Sequence, residues 1–214
     1  TIFVSAQDAK KDRNRTYNIT LGKVQYAHHD EKMSADEAVG KIITGALTGK
    51  VSVEATKYEE DVKSAIIKGL SSAYRFRFND GLLRVGDVVE EGNLVCDALI
   101  TNINAKIASQ TYKDKDGDTH VNTWYKGIVE AVLTLKDAKT GEVIANPTVG
   151  GWGSANSHFD TSDKAVQDAI NQLAGHVSKW LNKYRPIRAN IIESGAVKKD
   201  KQKEVYIDLG SSEG

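Results

Sequence analysis

The chain has little cysteine, little proline and no net charge, and each shortage excludes a class of protein or site. Its 214 residues include one cysteine and two prolines, and 29 basic side chains balance 29 acidic ones. A single cysteine cannot close an intrachain disulfide, and it excludes zinc or iron–sulfur sites built from several cysteines. Zero net charge provides no electrostatic attraction for nucleic acid, so we expect no nucleic-acid partner.

Long apolar runs are also missing. No stretch reaches the roughly 20 apolar residues that a membrane-spanning helix needs, so no transmembrane segment is predicted. What is present is a globular composition with 40% hydrophobic residues, which argues against intrinsic disorder. A chain of this length buries about 70% of its unfolded surface, which is enough for one sizeable core.

Residues 1–16 are predicted to be the end of a signal peptide followed by a linker. The opening TIFVSAQD is an apolar stretch with Val4 and Ala6 at the −3 and −1 positions of a signal-peptidase site. Cleavage would fall after Ala6, and no cysteine that could carry a lipid follows directly. We therefore expect an exported protein; a frayed N-terminal strand is the alternative.

Residues 17–186 carry strand and helix patterns that predict one α/β domain of the α+β type. Strand patterns occur at 17–27, at 74–78, where YRFRF alternates, and at 94–109, 121–135 and 142–149. The last three are joined by short turns and predict a three-stranded antiparallel meander. We expect a mixed, mostly antiparallel sheet. In the YRFRF strand, the three aromatics would share one face and the two arginines the other.

Three amphipathic helices are predicted to pack on this sheet. One follows Ser34 and ends at Gly49, and a second follows a capping box formed by Thr56 and Glu59. The longest has an apolar stripe that runs to Leu181 and ends before Pro186. Residues 187–214 are predicted to be a hairpin with a charged tip at 198–203, which opens a second, small β module.

The aspartates at 114, 116 and 118 resemble a calcium-binding loop, but their register is wrong. In an EF-hand the glycine follows the third acidic position and a glutamate stands at position 12. Here Gly117 precedes Asp118, and position 12 counted from Asp114 is Tyr125. A hairpin turn built on Asp116 and Gly117 explains the same residues, and we predict neither a metal site nor a cofactor.

No convergent set of catalytic residues can be recognised. The sequence contains no Gly-x-Ser-x-Gly motif, no phosphate-binding loop and no His-x₃-His pair. Cys96 lies in the most apolar strand pattern, which predicts a buried and unreactive thiol. His28 and His29 are expected in a solvated loop, with a pH-sensing role left open. We predict that the protein is not an enzyme.

Two tryptophans and a phenylalanine are the candidate contact residues. Trp152 lies in the glycine-rich segment 150–159 with Phe159 close by, and Trp124 lies on the polar face of its strand. An aromatic side chain on a loop is typical of an interface anchor, because it brings a large apolar area at a modest entropic cost. The alternative for Trp152 is that it folds back over the edge of the sheet.

Several segments of the chain occur in an order that is known from a protein family. They are a helix running into YRFRFND at 74–80, a strand at 94–107, the segment VEAVLTLKDAKTGEVI at 129–144, a glycine-containing loop and a helix at 164–184. In these features residues 57–184 resemble a family of bacterial envelope proteins that includes CsgG, LpoB and FlgT and, more remotely, the N-terminal domain of TolB. The resemblance implies a periplasmic, non-catalytic domain that contacts other proteins or copies of itself.

These observations lead to two hypotheses about function. The first is a non-catalytic assembly or adaptor protein, periplasmic or associated with the outer membrane, with envelope proteins as partners and a homo-oligomeric state. Long strands with an exposed edge can add to a neighbouring sheet, which provides a route to such oligomers. The alternative is a periplasmic protein that binds a glycan or a peptidoglycan fragment, with Trp124 and Trp152 as stacking platforms.

Overall fold

A computed structural model describes residues 16–27, 50–51, 55–81, 92–187, 191–194, 197–198, 201–202 and 205–207. The predicted signal peptide, the predicted helix at 34–49 and the pair His28 and His29 lie outside the described residues. Short 3₁₀ geometry at Ala55–Tyr58 precedes the first described helix. The strands and helices, in chain order, are β1 Tyr17–Tyr26, β2 Lys50–Val51, α1 Glu59–Ser71, β3 Phe76–Phe78, β4 Leu94–Lys113, β5 Thr119–Asp137, β6 Val143–Ala145, β7 Thr148–Trp152, α2 Ser162–Tyr184, β8 Ile191–Ser194, β9 Val197–Lys198, β10 Lys201–Gln202 and β11 Val205–Ile207.

Seven of these strands form one mixed sheet, which confirms the predicted fold class. The strand order is β3-β1-β4-β5-β6, with β2 also paired to β4 and β7 also paired to β5. β1 runs parallel to both of its neighbours, whereas the pairs from β4 to β7 are antiparallel, as the meander predicted. Near the C-terminus, β8 pairs antiparallel with β11 and β9 with β10, as expected of the predicted hairpin. The division into two domains stays a prediction.

The two longest strands, β4 and β5, change register once. Between Ile100 and Asn102 the pairing with β5 shifts by one residue, which is a β-bulge. The bulge moves the buried side of β4 from even positions, such as Ala98 and Ile100, to odd positions, such as Ile103 and Ala105. Both halves of this long strand therefore bury their apolar residues on the same face of the sheet.

Both described helices cover that face. Their apolar stripes point into the core, and α2 begins at Thr161, whose hydroxyl accepts a hydrogen bond from the Lys164 N–H (3.3 Å). None of the described helices is long and apolar enough to span a membrane. The buried helical side chains are Val62, Ala65, Ile66, Leu70, Ala165, Val166, Ala169, Ile170, Leu173, Ala174, Val177 and Leu181.

Two local expectations were wrong near α1. The predicted capping box is absent, because Thr56 lies within the 3₁₀ turn and α1 starts at Glu59 with no side-chain cap on its first turn. Strict alternation also fails before Phe76: Tyr74 is 77% exposed and Arg75 is buried. The chain is still turning at these positions, and the Phe76 N–H bonds to the Ala73 carbonyl (3.2 Å). The buried arginine lies over the Tyr17 ring and donates to the Pro186 carbonyl (3.3 Å).

Candidate functional site

The face of the sheet opposite the helices is the candidate site, and we call it the outer face. Alternate residues of β4 and β5 point to this side, and no described element packs on it. It combines apolar side chains that are only partly buried with polar ones. The outer-face residues are Val95, Leu99, Asn102, Asn104, Lys106, Trp124, Lys126, Ile128, Glu130, Val132 and Trp152.

Trp152 is the most exposed aromatic residue on this face. It is the last residue of β7, lies opposite Ile128 of β5, and is 49% exposed. The Nζ atom of Lys106 lies 6.0 Å from the centre of its indole ring, at the outer limit of a cation–π contact. The sequence placed this residue in a flexible loop. The structure corrects that, because β7 pairs with β5 from Thr148 through Trp152.

Two glycines make this strand fit against its neighbour. Gly150 and Gly151 have φ angles of +99° and +134°, which side-chain-bearing residues rarely adopt. A Cβ atom on Gly150 would also lie 2.2 Å from the Val129 carbonyl oxygen. The glycines that suggested a loop are therefore needed for close approach and for the turn of the backbone that presents Trp152.

Trp124 lies further along the same face, under the segment that follows β7. Its ring contacts the ring of His158, with centroids 4.3 Å apart and planes tilted by 58°. The indole N–H is buried and donates to no described group, so the ring is held by packing. Next to it, Lys126 donates to the Ala155 carbonyl (3.1 Å). The segment 153–159 thus covers part of Trp124, which is half-buried.

The same segment is fastened to α2. Asp168 accepts hydrogen bonds from the Ser154 N–H (2.5 Å) and from the Ser154 hydroxyl (3.2 Å). The side-chain amide of Gln172 donates to that hydroxyl (3.0 Å). At the other end, the Tyr125 N–H bonds to the Phe159 carbonyl (2.8 Å). These contacts fix a segment that sequence alone marks as flexible.

The structure brings two of the three predicted contact residues to one face. Trp124 and Trp152 both lie on the outer face. Phe159 pairs directly with Tyr125, so it lies on the side of the sheet that the helices cover. Phe159 is therefore not in the same surface as the two tryptophans.

Sequence reasoning missed a second exposed feature, the far end of the β4–β5 hairpin. We call residues 108–124 the arm, because the two strands here extend past the pairing of β2 with β4 and of Phe159 with Tyr125. Every residue from 109 to 123 except Asp114 is exposed. The sequence does indicate the arm. Residues 109–123 include β-forming types, but they lack the alternating apolar pattern of a strand that covers a core.

The turn of the arm is closed by one carboxylate, as the predicted hairpin requires. Asp114 Oδ1 accepts from the N–H groups of Asp116 (3.0 Å) and Asp118 (2.9 Å), and Oδ2 lies 2.7 Å from His120 Nε2. The hydrogen bond with His120 lowers the pKa of Asp114 below its usual value, and the backbone hydrogen bonds each add a smaller effect in the same direction. The ring of His120 also stacks on that of Tyr112, at a centroid distance of 5.4 Å.

The ionisable side chains with shifted pKa values have structural partners. Burial raises the pKa of the Cys96 thiol to about 12, which confirms the buried thiol expected from the sequence. Asp163 accepts from Lys57 (2.6 Å) and from the hydroxyl of Tyr58 (2.6 Å), and these bonds lower the pKa of the carboxyl group. In the described ranges, no group of three or more His, Cys, Asp and Glu side chains is placed to hold a metal ion.

Two hollows of the described surface lie away from the outer-face tryptophans. One, of about 440 Å³, is bounded by β1 and α1 and includes Tyr26, whose hydroxyl donates to the Glu59 carbonyl (2.8 Å). Another, of about 460 Å³, lies over both helices near Ser178 and Asn182. Neither hollow is lined by Trp124 or Trp152.

Comparison with known proteins found similarity in backbone path alone. No protein-family model and no curated protein matches the chain. A PelC dodecamer from Paraburkholderia phytofirmans is 10% identical with a TM-score of 0.39, and the match covers 77% of this chain and 87% of that one. For the hypothetical protein CT253 from Chlamydia trachomatis the values are 9%, 0.37, 79% and 95%. For a homolog of neuraminyllactose-binding hemagglutinin from Helicobacter pylori they are 12%, 0.36, 81% and 90%.

Proposed function

We propose that the protein is a non-catalytic assembly domain of the bacterial cell envelope, which binds other proteins through the outer face of its sheet. In this proposal the chain is exported, as the pattern before Ala6 suggests, and acts in the periplasm or at the outer membrane. Its partners are envelope proteins and copies of itself.

One observation carries the proposal: the helices cover only one of the two faces of the sheet. The helices cover one face with a continuous set of buried apolar residues, while the outer face keeps Leu99, Ile128 and Trp152 without a described covering element. Partly exposed apolar side chains rimmed by polar ones are typical of a protein-binding surface. An exposed tryptophan in such a patch is the residue type most often found as a binding hot spot.

Site-specific photo-crosslinking in the native bacterium tests this proposal. A photoreactive amino acid at position 152 should form adducts with an envelope protein, because this position lies in the proposed contact. The matched control is position 179 on α2, where Lys179 is exposed on the helical side of the domain. Adducts that are absent, equal at both positions, or confined to cytoplasmic proteins would contradict the proposal.

The effect of one substitution on affinity then measures how much Trp152 contributes to binding. Trp152→Ala should weaken binding of the captured partner by about 30-fold or more, the effect expected of an interface hot spot. Tyr74→Ala removes another exposed aromatic residue far from the outer face and should leave the affinity unchanged. Isothermal titration calorimetry with the purified partner provides both values.

A second candidate function, glycan binding, is favoured by the spacing of the two tryptophans. Trp152 lies opposite Ile128, four residues along β5 from Trp124, which is about 14 Å. Lys106 and Lys126 face each other between them. Aromatic platforms separated by cationic donors suit an extended oligosaccharide that carries acidic groups.

Retention of soluble peptidoglycan fragments on the immobilised protein separates the two functions. Under glycan binding, Trp124→Ala and Trp152→Ala together should abolish retention. Under the assembly function, the wild-type protein and the double variant should behave alike in this assay, while the photo-crosslinking result stands.

A further inference from the structure

The arm carries a strand edge that no described residue pairs with. On the side of β5 that faces away from β4, the last described hydrogen bond runs from the Tyr125 N–H to the Phe159 carbonyl. Beyond it, residues 119–123 have no described strand partner on that side. The opposite side of these residues is paired with β4, from Thr123 opposite Ser109 to Thr119 opposite Lys113. We call this five-residue edge, 119–123, the free edge.

Alternate residues present their backbone groups at the free edge. The N–H of Tyr125 and the carbonyl of Gly127, which accepts from the Gly153 N–H (3.0 Å), both point away from β4. Backbone groups of a strand alternate in direction from residue to residue, and the register with β4 is unbroken here. Thr119, Val121 and Thr123 therefore each present an N–H donor and a C=O acceptor at the free edge.

We propose that the free edge pairs antiparallel with the same edge of a second copy of this chain, centred on Val121. In this register Val121 lies opposite the partner's Val121, His120 opposite the partner's Asn122, and Thr119 opposite the partner's Thr123. The inference rests on the proposed assembly function and names one surface by which copies associate. The two hairpins then form a continuous four-stranded ribbon across a two-fold axis.

The free edge, THVNT, has threonine at both ends, valine at the centre and a polar residue, His120 or Asn122, on each side of that valine. Val121 is 61% exposed in the single chain, and in the pair it contacts its own equivalent. Threonine opposite threonine is a favourable cross-strand pair, and a histidine opposite an asparagine can share a hydrogen bond. No like charges are opposed. An edge that pairs with its own copy must match its own reversed sequence, whereas an edge that binds a different protein need not. The match seen here therefore favours a second copy as the partner.

The backbone geometry fits the same register. Residues that point both backbone groups at a shared edge form hydrogen-bonded pairs, and three such pairs exchange about six N–H···O=C bonds. A two-stranded ribbon is marginal by itself in water, whereas four strands satisfy more of the exposed backbone. The turn closed by Asp114 holds the arm in one register, so the free edge is prepared for pairing.

Analytical ultracentrifugation of the purified protein tests the pairing. The wild-type chain should form a dimer, and Val121→Lys should raise the dissociation constant about 10-fold or more, because it opposes two lysines and removes the apolar contact. Val143→Lys is the matched control, since Val143 is a 54% exposed valine on the edge strand β6. It should change the constant by less than threefold, and both variants should keep the wild-type circular dichroism spectrum.

Disulfide trapping provides a second readout that does not depend on a loss of binding. Directly opposed residues of a hydrogen-bonded pair have Cα atoms about 5.5 Å apart, which suits a disulfide. Val121→Cys should therefore form a covalent dimer on mild oxidation, and Val143→Cys should not. The native Cys96 is buried and does not compete.

Three outcomes would overturn the pairing: a wild-type chain that stays monomeric up to millimolar concentration, a dimer that survives Val121→Lys, and equal cross-linking of the two cysteine variants. Binding of a foreign strand at the free edge without self-association would count against it in the same way. None of these outcomes affects the adducts expected at position 152. A failure of self-pairing can thus be told apart from a failure of the proposed function.

Discussion

At the scale of single residues, Gly69 determines how closely the two described helices approach. A Cβ atom at this position would lie 2.6 Å from the Val177 Cβ and 2.7 Å from the Ala174 carbonyl oxygen. Gly175 of α2 is also helical, but a Cβ there would meet nothing within 4 Å. The two glycines therefore have opposite roles, although sequence propensity treats them alike.

We predict that Gly69→Ala destabilises the protein by about 1–3 kcal/mol, because the methyl group forces α1 and α2 apart. Gly175→Ala should stabilise it by about 0.5–1 kcal/mol through the better helix propensity of alanine. Urea denaturation followed by circular dichroism provides both free energies of unfolding. Equal stability of the two variants would show that the helices separate without cost.

Asp97 of β4 is a half-buried carboxylate that lies opposite Thr134 of β5. Burial raises its pKa, but hydrogen bonds from Lys136 (2.6 Å) and from the Lys23 N–H (2.8 Å) outweigh burial and bring the pKa below its usual value. A carboxyl group with a lowered pKa in the folded state stabilises the protein above its unfolded-state pKa of about 3.9. That stabilisation is lost as the pH falls through the folded-state value.

Asp97→Asn should therefore cost roughly 1 kcal/mol of stability at neutral pH, and the difference from the wild type should shrink as the pH falls below about 4. Thermal unfolding measured from pH 7 down to pH 3 checks the trend. Asp116→Asn, in the exposed turn of the arm, is the control and should show no such convergence. A difference that stays constant with pH would mean that the charge of Asp97 does not contribute.

Single residues are also where sequence-based prediction failed most clearly. Alternation placed Tyr74 on one face with Phe76 and Phe78 and Arg75 on the other, but Tyr74 is exposed and Arg75 is buried like Phe76. The reason is tertiary: Arg75 lies over Tyr17 and reaches the Pro186 carbonyl, contacts with residues that are distant in sequence. Cys96 was predicted correctly, because it lies in the most apolar strand pattern of the chain, and such a strand is buried whatever its neighbours are.

At the scale of elements, the arm depends on its turn for order. Asp114 is the acceptor for two turn amides and for the His120 ring, whereas the neighbouring Asp116 has no described side-chain contact of this kind. The rest of the arm is exposed on both faces and has no core beneath it. Local hydrogen bonds therefore contribute more to its order than they do elsewhere in the sheet.

We predict that Asp114→Ala increases the mobility of the arm, because it removes the acceptors of the turn. Heteronuclear NOE values for the amides of Asp116, Gly117 and Asp118 should fall on the picosecond–nanosecond timescale. Asp116→Ala should leave them unchanged. An Asp114→Ala arm as rigid as that of the wild type would assign the order of the turn to Gly117, which has a φ of +88°.

Element types were predictable from the sequence, and element ends were less so. The stripes of α1 and α2 identified both helices, since each buries residues three and four positions apart. The strand predicted at 142–149 is divided into β6 and β7 near Pro147, and β7 continues to Trp152. Glycines at 150 and 151 indicated a loop, although their conformation is the one that this paired strand needs.

At the scale of the whole molecule, the domain is a two-layer structure with an appendage. The helices cover the body of the sheet, while the arm lies beyond it, and β4 and β5 belong to both. The sequence predicted the layers, whereas the common face of Trp124 and Trp152 follows from the pairing of β7 with β5. The sequence could not predict which side of the sheet Phe159 occupies, because that depends on how the segment after β7 crosses to α2.

Replacing residues 109–123 by an Asn-Gly turn should leave a folded domain, with the free energy of unfolding changed by less than about 1 kcal/mol, because these residues are exposed and bury little apolar area. The same deletion should abolish self-association. Urea denaturation and ultracentrifugation of one sample measure both effects. Loss of the folded state would mean that the arm stabilises the core.

The position of β1 inside the sheet has a consequence for how the chain folds. This strand lies between β3 and β4, so that Ile19 pairs with both Phe78 and Leu94. Contacts that distant in sequence are slow to form, because a long loop has to be closed before they contribute. A ribosome-bound chain cannot complete this strand until about 75 further residues have been synthesised. Until then β1 remains open to chaperones that recognise extended segments.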